Sequence, residues 1–361
     1  MDLSEIAIFF RKSLIWLVLG TTFLLVVLLL TKILADYWQN LNPTEPAVTQ
    51  LFGELPILNI KGKALDLSKT QIDLDTVDLA LPKLASVLEV YPFNKANPSL
   101  LDLERAKGLA LNFGFKDEPQ ALNERTYRWV VSTGSKTLTA DIVTKNFTFQ
   151  YDYQKDDGAL KTDSPLNLET GATRAKEILK GKGLLPSDLE GGQLKVRPVL
   201  VSKTEIKNVS SLSEANGLEV KIFRAPIDLG KRGKITILGP TPQDSPVSML
   251  LSFSSDSNKR LLYLNYNYFP INLSNPSTYN VKLIDEAWEE FQNSVSTFVG
   301  EIDILASIKV KEIYLSYYDS YEVQDFLQPI FVFSGYAQNY SGKEIDFVAY
   351  LPAVSISYET Q

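Results

Sequence analysis

The pattern of apolar and polar positions changes character three times along the chain. Ser13 to Thr31 (SLIWLVLGTTFLLVVLLLT) runs 19 residues without a charge, between Arg11 and Lys12 on one side and Lys32 on the other. As a helix it would be about 28 Å long, close to the roughly 30 Å hydrocarbon core of a bilayer. The run is longer than the roughly 7–15 apolar residues of a secretory signal, and KILADYWQN after it is a poor small-x-small cleavage sequence, so an uncleaved anchor is expected. Two basic residues precede the run and one follows it, a bias that puts the N-terminus inside and the rest of the chain outside the cell membrane. Tyr37 and Trp38 suit the outer aromatic belt.

From Gln39 to about Pro56 the pattern dissolves into QNLNPTEPAVTQLFGELP, where each proline biases its predecessor away from helix. This predicts an extended spacer that lifts the remainder from the membrane. Alternation then appears in KALDLSKTQIDLDTVDLALP, with Leu65, Leu67, Ile72, Leu74, Val77, Leu79 and Leu81 marking short strands.

Three amphipathic helices are predicted in the rest. The first begins near Ser99, carries Leu103, Ala106, Ala110 and Phe113 on one face and stops at Gly114, which can take a left-handed conformation. The second runs from about Thr170, with Ala172, Ala175, Ile178 and Leu179 inward, to Gly181 and Gly183. The third starts at Ile284 or Asp285 and places Ala287, Trp288, Phe291, Val295, Phe298 and Val299 on one side, with Gly300 at its end. Strand-like sequence follows each helix, and the Gly, Asn, Asp and Ser between the apolar runs suit antiparallel hairpins. RAKGLALNFGF (105–115) and RAKEILKGKGL (174–184) share Arg, Ala, Lys and a later Gly, and each opens a helix-then-strands unit.

The expected fold class is therefore α+β: an N-terminal transmembrane helix followed by repeated modules of one amphipathic helix on an antiparallel sheet. The expected boundaries are a cytoplasmic head 1–12, an anchor 13–31, a juxtamembrane spacer 32–60, and α+β modules at 61–165, 166–275 and 276–361.

Composition narrows the chemistry. The 361 residues include no Cys and no His, which excludes Ser-His-Asp and Cys-His catalysis, histidine-bound zinc, iron-sulfur clusters and disulfides. Ser never has Lys three positions on, and neither G-x-S-x-G nor G-K-[ST] occurs, so those nucleophile and phosphate-binding motifs are also missing. Residues 1–32 hold 3 of the 36 basic and 2 of the 43 acidic residues, leaving a net charge of −8 for the remainder and no electrostatic footprint for nucleic acid. Four N-x-[ST] sequons, at Asn146, Asn208, Asn272 and Asn339, matter only in a eukaryotic secretory pathway.

Asp73, Asp75 and Asp78 offer hard oxygen ligands, but the segment has neither the glycine nor the closing glutamate of a calcium loop, and a solvated strand face explains the spacing. In the aromatic tract 314–336, Tyr314, Phe331 and Phe333 read as core, while Tyr317, Tyr318 and Tyr321 beside Asp319 and Glu322 are candidates for an exposed recognition patch. No catalytic, cofactor-binding or metal residue and no cofactor is nominated.

RAKGLALNFGF with YRWVVSTGSKTLTADI, and DEAWEEFQNSV with the strands from KEIYLSYYD through QPIFVFSGYA to DFVAYLPAV, resemble PepSY-like modules. They are similar to the extracytoplasmic regulators YycH and YycI, and to uncharacterised single-pass membrane proteins of candidate phyla radiation bacteria. The resemblance spans residues 99–361 and implies binding or regulation outside the membrane, with no catalytic residue to carry over. The expected function is a membrane-anchored extracytoplasmic binding or regulatory protein without catalytic activity, partnered by the bilayer through residues 13–31 and by a protein or envelope component. The alternative is a carboxylate-dependent cell-envelope hydrolase, whose acidic pair the sequence does not identify.

Overall fold

A computed structural model of the chain describes residues 3–41, 45–67, 70–293, 295–299, 305–340 and 342–355. It is mixed α+β and divides into two compact units, residues 1–46 with 228–234, and residues 47–227 with 235–361. The first unit is dominated by one helix of 39 residues, Leu3–Leu41. Within it Trp16–Ala35 is long and apolar enough to cross a membrane, and none of that window is buried in the protein. The helix covers the described part of the expected head and continues past Lys32 to Leu41, because KILADYWQN contains no helix breaker. Residues 42–44, in the expected spacer, lie outside the described residues.

The second unit is built on two nine-stranded sheets. The first sheet runs Gln120–Ala121, Thr126–Val130, Lys136–Asp141, Phe147–Tyr151, Leu261–Tyr266, Val247–Ser252, Gly217–Ile222, Leu194–Val201 and Ile206–Asn208, every neighbour antiparallel. Its register lines up Trp129, Leu138, Phe149, Leu264, Met249, Val220 and Val196 in one row across the sheet. Helices Asp102–Asn112 and Leu168–Gly181 cover that face with Ala106, Ala110, Ala175 and Leu179, all within one continuous core. Alanines and Gly171, whose missing Cβ would run into Leu218, let the helices approach closely. The residues expected to form a first and a second module thus share a single sheet, joined where Phe147–Tyr151 pairs with Leu261–Tyr266.

Both helices end alike. Phe115 N–H donates to Ala110 O (3.0 Å) and Leu184 N–H to Leu179 O (2.9 Å), each bond spanning a glycine with positive φ, Gly114 at 88° and Gly183 at 68°. These are Schellman closures, and they account for the glycine shared by the two similar segments. Their beginnings differ. An Asn167–Thr170 capping box opens the second helix, whereas the first starts at Asp102, three residues later than Ser99, with no side-chain cap.

The second sheet runs Lys63–Asp66, Val295–Val299, Glu344–Pro352, Phe326–Asn339, Leu305–Tyr318 and Ile237–Leu238, with Gln71–Leu74, Val87–Pro92 and Ser277–Asn280 joined to it. It therefore draws strands from well outside 276–361. It is also not purely antiparallel, since Leu305–Tyr318 pairs in parallel with both Gln71–Leu74 and Ile237–Leu238. Helix Ile284–Asn293 lies on one face, where the Phe291 ring stacks on Phe333 at 4.3 Å with 10° between planes.

That helix is shorter than its apolar periodicity suggested. Val295–Val299 is a strand paired with Lys63–Asp66 and Glu344–Pro352, because the run VSTFV is rich in β-branched residues and two pairing edges are available to it. Gly300 lies outside the described residues. The alternation after Lys63 also stops early, leaving Val77 and Leu79 102% and 70% exposed beyond the strand that ends at Leu74.

From Glu45 onward the expected spacer is extended, yet it does not stand off. Thr49 N–H donates to Thr278 O (3.2 Å), Leu51 N–H to Ser277 Oγ (2.7 Å) and Phe52 N–H to Tyr279 Oη (3.1 Å), while the Phe52 ring stacks on Phe326 at 4.9 Å. Farther along, Gln328 Nε2 donates to Pro56 O (2.9 Å) and Lys61 N–H to Tyr318 Oη (3.0 Å). Prolines remove competing donors without preventing this docking, since side chains of the second sheet supply the partners.

Candidate functional site

Alternation along the strands gives the first sheet a second face, turned away from the helices. One row across it reads Thr137, Gln150, Tyr263, Leu250 and Glu219, and the next reads Thr139, Thr148, Asn265, Ser248 and Lys221. Hydroxyl and amide groups dominate both rows. Thr148 Oγ1 donates to Asn265 Oδ1 (3.3 Å), and Asn146 Nδ2 donates to Asn267 Oδ1 (2.9 Å), one rung farther on.

A cavity of about 520 Å³ sits on this face, lined by Thr137, Gln150, Tyr263, Ser248, Glu219 and Ile206, with the 152–154 turn at its side. Its volume falls within the roughly 300–1,000 Å³ of small-ligand sites. Glu219 is bonded to Arg197 Nε, and Asp152 to Lys155 Nζ at 2.7 Å, so the carboxylates beside the cavity carry their own counter-charges. Burial raises the Tyr263 phenol, which keeps its O–H at neutral pH as both donor and acceptor. Tyr151 is raised by burial first and by its 2.6 Å bond to Asp156 second; Asp156 in turn receives Lys259 Nζ at 2.8 Å. This surface can form several hydrogen bonds to a polar, uncharged ligand and offer it the rings of Tyr153 and Tyr263.

The expected recognition patch in the 314–336 tract is a correction. Tyr317 and Tyr318 have no exposure; the Tyr317 hydroxyl donates to Glu89 O (2.8 Å) and the Tyr318 hydroxyl accepts from Lys61 N–H. The end of the strand that bears them, Leu315–Tyr318, is buried at every position, so alternation does not expose either residue. Tyr321 is half-buried at φ 55°, its hydroxyl donating to Asp244 O (3.1 Å) and its ring against Gly239. Glu322 is exposed and paired with Lys61 at 2.6 Å. Of the three aspartates weighed as metal ligands, all are exposed, and Asp73 accepts from Gln71 Nε2 (3.0 Å).

Asp319 belongs to a cluster that the sequence did not mark. Arg224, just after the Gly217–Ile222 strand, donates from Nε to Asp319 Oδ2 (2.8 Å), from NH1 to Asp188 Oδ2 (2.6 Å) and from NH2 to Phe269 O (2.6 Å). Its guanidinium also lies 4.4 Å over the Tyr268 ring, whose hydroxyl donates to Asp188 Oδ1 (2.9 Å). Burial works against the Arg224 charge, but the two carboxylates outweigh it and hold the group protonated. Burial pushes Asp319 up, opposed by Arg224 and by the Tyr321 N–H. The fold thus brings Asp188 and Asp319 to one guanidinium. Asp319 has no exposure, however, and the geometry makes the cluster a tie between the two sheets.

No known protein family matches this chain, and no curated protein matches it. It is similar to a solved structure, that of an uncharacterized protein from Eubacterium rectale ATCC 33656, at 10% sequence identity and a TM-score of 0.40, over 78% of this chain and 86% of that one.

Proposed function

We propose that the chain is a membrane-anchored, extracytoplasmic binding or regulatory protein of PepSY-like character, without catalytic activity, that holds an envelope component on the open face of its first sheet. The observation that carries this reading is the cavity over Gln150 and Tyr263, where the hydroxyl and amide groups of Thr137, Gln150, Ser248 and Tyr263 stand beside Ile206 and Leu250 and the carboxylates are charge-compensated. Such a wall suits reversible recognition through hydrogen bonds. The apolar helix supports a place at the bilayer, and the Arg11–Lys12 flank supports an inside N-terminus.

A photo-crosslinking residue at Gln150, in cells carrying the full chain, tests the reading. An adduct with one envelope component, lost when Tyr263→Ala and Ser248→Ala are added, is the expected result. Turnover of a peptidoglycan or polysaccharide substrate that stops on Glu219→Gln in a folded protein would replace binding with carboxylate catalysis.

A further inference from the structure

A second cavity, of about 260 Å³, opens on the helix side of the first sheet. Ala106 and Leu109 of the 102–112 helix form one wall, Leu184 another, and Tyr266, Tyr268 and Pro270 a third. The Tyr268 hydroxyl is committed to Asp188 and one face of its ring to Arg224, which leaves ring carbon to line the space. The interior is therefore apolar. An apolar cavity of roughly 150 Å³ is enough to take a benzene ring.

Its charged lining is lopsided. Asp141 lines the cavity, but its Oδ1 accepts from the N–H groups of Val143 and Thr144 (2.9 Å each) and its Oδ2 pairs with Arg125 (3.0 Å). Arg105 also lines it, with a half-exposed side chain whose one ion pair among the described residues is a 3.3 Å contact to Asp102. Lys145 completes the set, exposed and without an ion pair among the described residues. Its backbone stands at φ 64° in a turn closed by its own N–H on Asp141 O (2.9 Å). An apolar space edged by two cations and one saturated anion favours a ligand with an apolar body and a negative end.

We propose that this cavity binds a small carboxylic acid with an aromatic or branched-alkyl body. The body packs among Leu109, Leu184, Tyr266 and Tyr268, and the carboxylate meets Arg105 and Lys145. The site lies on the opposite side of the sheet from the open-face cavity and does not depend on the role assigned there.

The full chain in phosphatidylcholine nanodiscs, titrated calorimetrically with 3-phenylpropanoate, 3-phenylpropanol and 3-phenylpropylamine against empty nanodiscs, tests the proposal. Saturable binding of the acid, at least about tenfold tighter than of the amine, is expected. Lys145→Glu, at an exposed position, should weaken the acid by about tenfold and narrow or reverse its advantage over the amine, whereas Lys309→Glu on the second sheet should change neither. Leu109→Trp should fill the cavity and abolish binding of all three ligands while leaving the circular dichroism spectrum intact. Equal affinity for acid and amine, no saturation by about 10 mM, or indifference to Lys145→Glu would overturn the proposal.

Discussion

Arg224 Nε lies 2.8 Å from Asp319 Oδ2 with the two side chains 1% and 0% exposed, and this contact bridges the two sheets. Removing one partner strands the other charge away from water. Arg224→Met or Asp319→Asn should each cost about 3–5 kcal/mol in chemical denaturation. Combining Arg224→Met with Asp319→Asn should cost less than the sum of the two single changes, since neither fully buried charge is then left alone and Asp188, 20% exposed, keeps the Tyr268 hydroxyl. Additivity in that cycle would show that the two residues do not act as a pair.

The glycines of the two helices on the first sheet should respond in opposite directions. Gly114→Ala and Gly183→Ala force a Cβ into left-handed backbone and should each destabilise by about 1–2 kcal/mol. Gly108, inside the 102–112 helix with open space around it, should instead gain about 0.5–1 kcal/mol on replacement by alanine. Urea midpoints measure both signs.

On the second sheet, Phe291→Ala should cost about 3–5 kcal/mol, as for other fully buried aromatics. Trp288 faces the same way but is half-buried, 6.3 Å from Phe333, so Trp288→Ala should cost less. A larger loss at Trp288 than at Phe291 in thermal unfolding would contradict this packing.

Acid titration should reveal Asp156. Its carboxyl is lowered from the ordinary 3.8 by hydrogen bonds from Lys259 first and Tyr151 second. A depressed folded value means that the ionised form favours the folded state. The contribution is present above pH 3.8 and disappears as pH falls through the lower folded value. Asp156→Asn should therefore be less stable than the parent at neutral pH, with the gap closing below pH 3.8. A gap independent of pH would mean that the carboxylate charge plays no part.

Truncation separates tether from fold. A chain beginning at Glu45 should keep the stability of the second unit, whereas one beginning at Lys63 loses the partners of Ser277, Tyr279, Gln328 and Tyr318. With each lost hydrogen bond worth about 0.5–1.5 kcal/mol, the shorter chain should unfold at clearly lower urea. Equal midpoints would show that residues 47–62 contribute nothing.

The helix ends near Gly114 and Gly183 were legible because local chemistry decides them: a left-handed closure needs glycine, and both sequences supply it. The antiparallel strands that follow the first helix, Thr126–Val130, Lys136–Asp141 and Phe147–Tyr151, were legible through simple alternation over one buried face. Where tertiary pairing overrode local pattern, the reading failed. Val295, Phe298 and Val299 continue the spacing of the preceding helix, yet two open strand edges claim them. Tyr317 and Tyr318 read as members of an exposed patch, but both faces of the strand's end, Leu315–Tyr318, are covered. Arg224 gives no local sign at all, since its carboxylates lie 36 and 95 residues away in the chain. The open-face row from Thr137 to Glu219 depends equally on register between strands distant in sequence, which the order of residues does not state.

The docked segment from Thr49 to Lys61 also determines where the second unit would feel mechanical load. Tension applied along the chain from before Ala47 does not reach Lys63 directly; it passes first into Thr278, Ser277 and Tyr279 through the bonds from Thr49, Leu51 and Phe52. Those three belong to a four-residue strand whose ladder partner is Val87–Pro92. A steady pull would thus peel the Thr49–Phe52 contacts before stressing the long central strands, making those contacts a mechanical fuse between tether and fold.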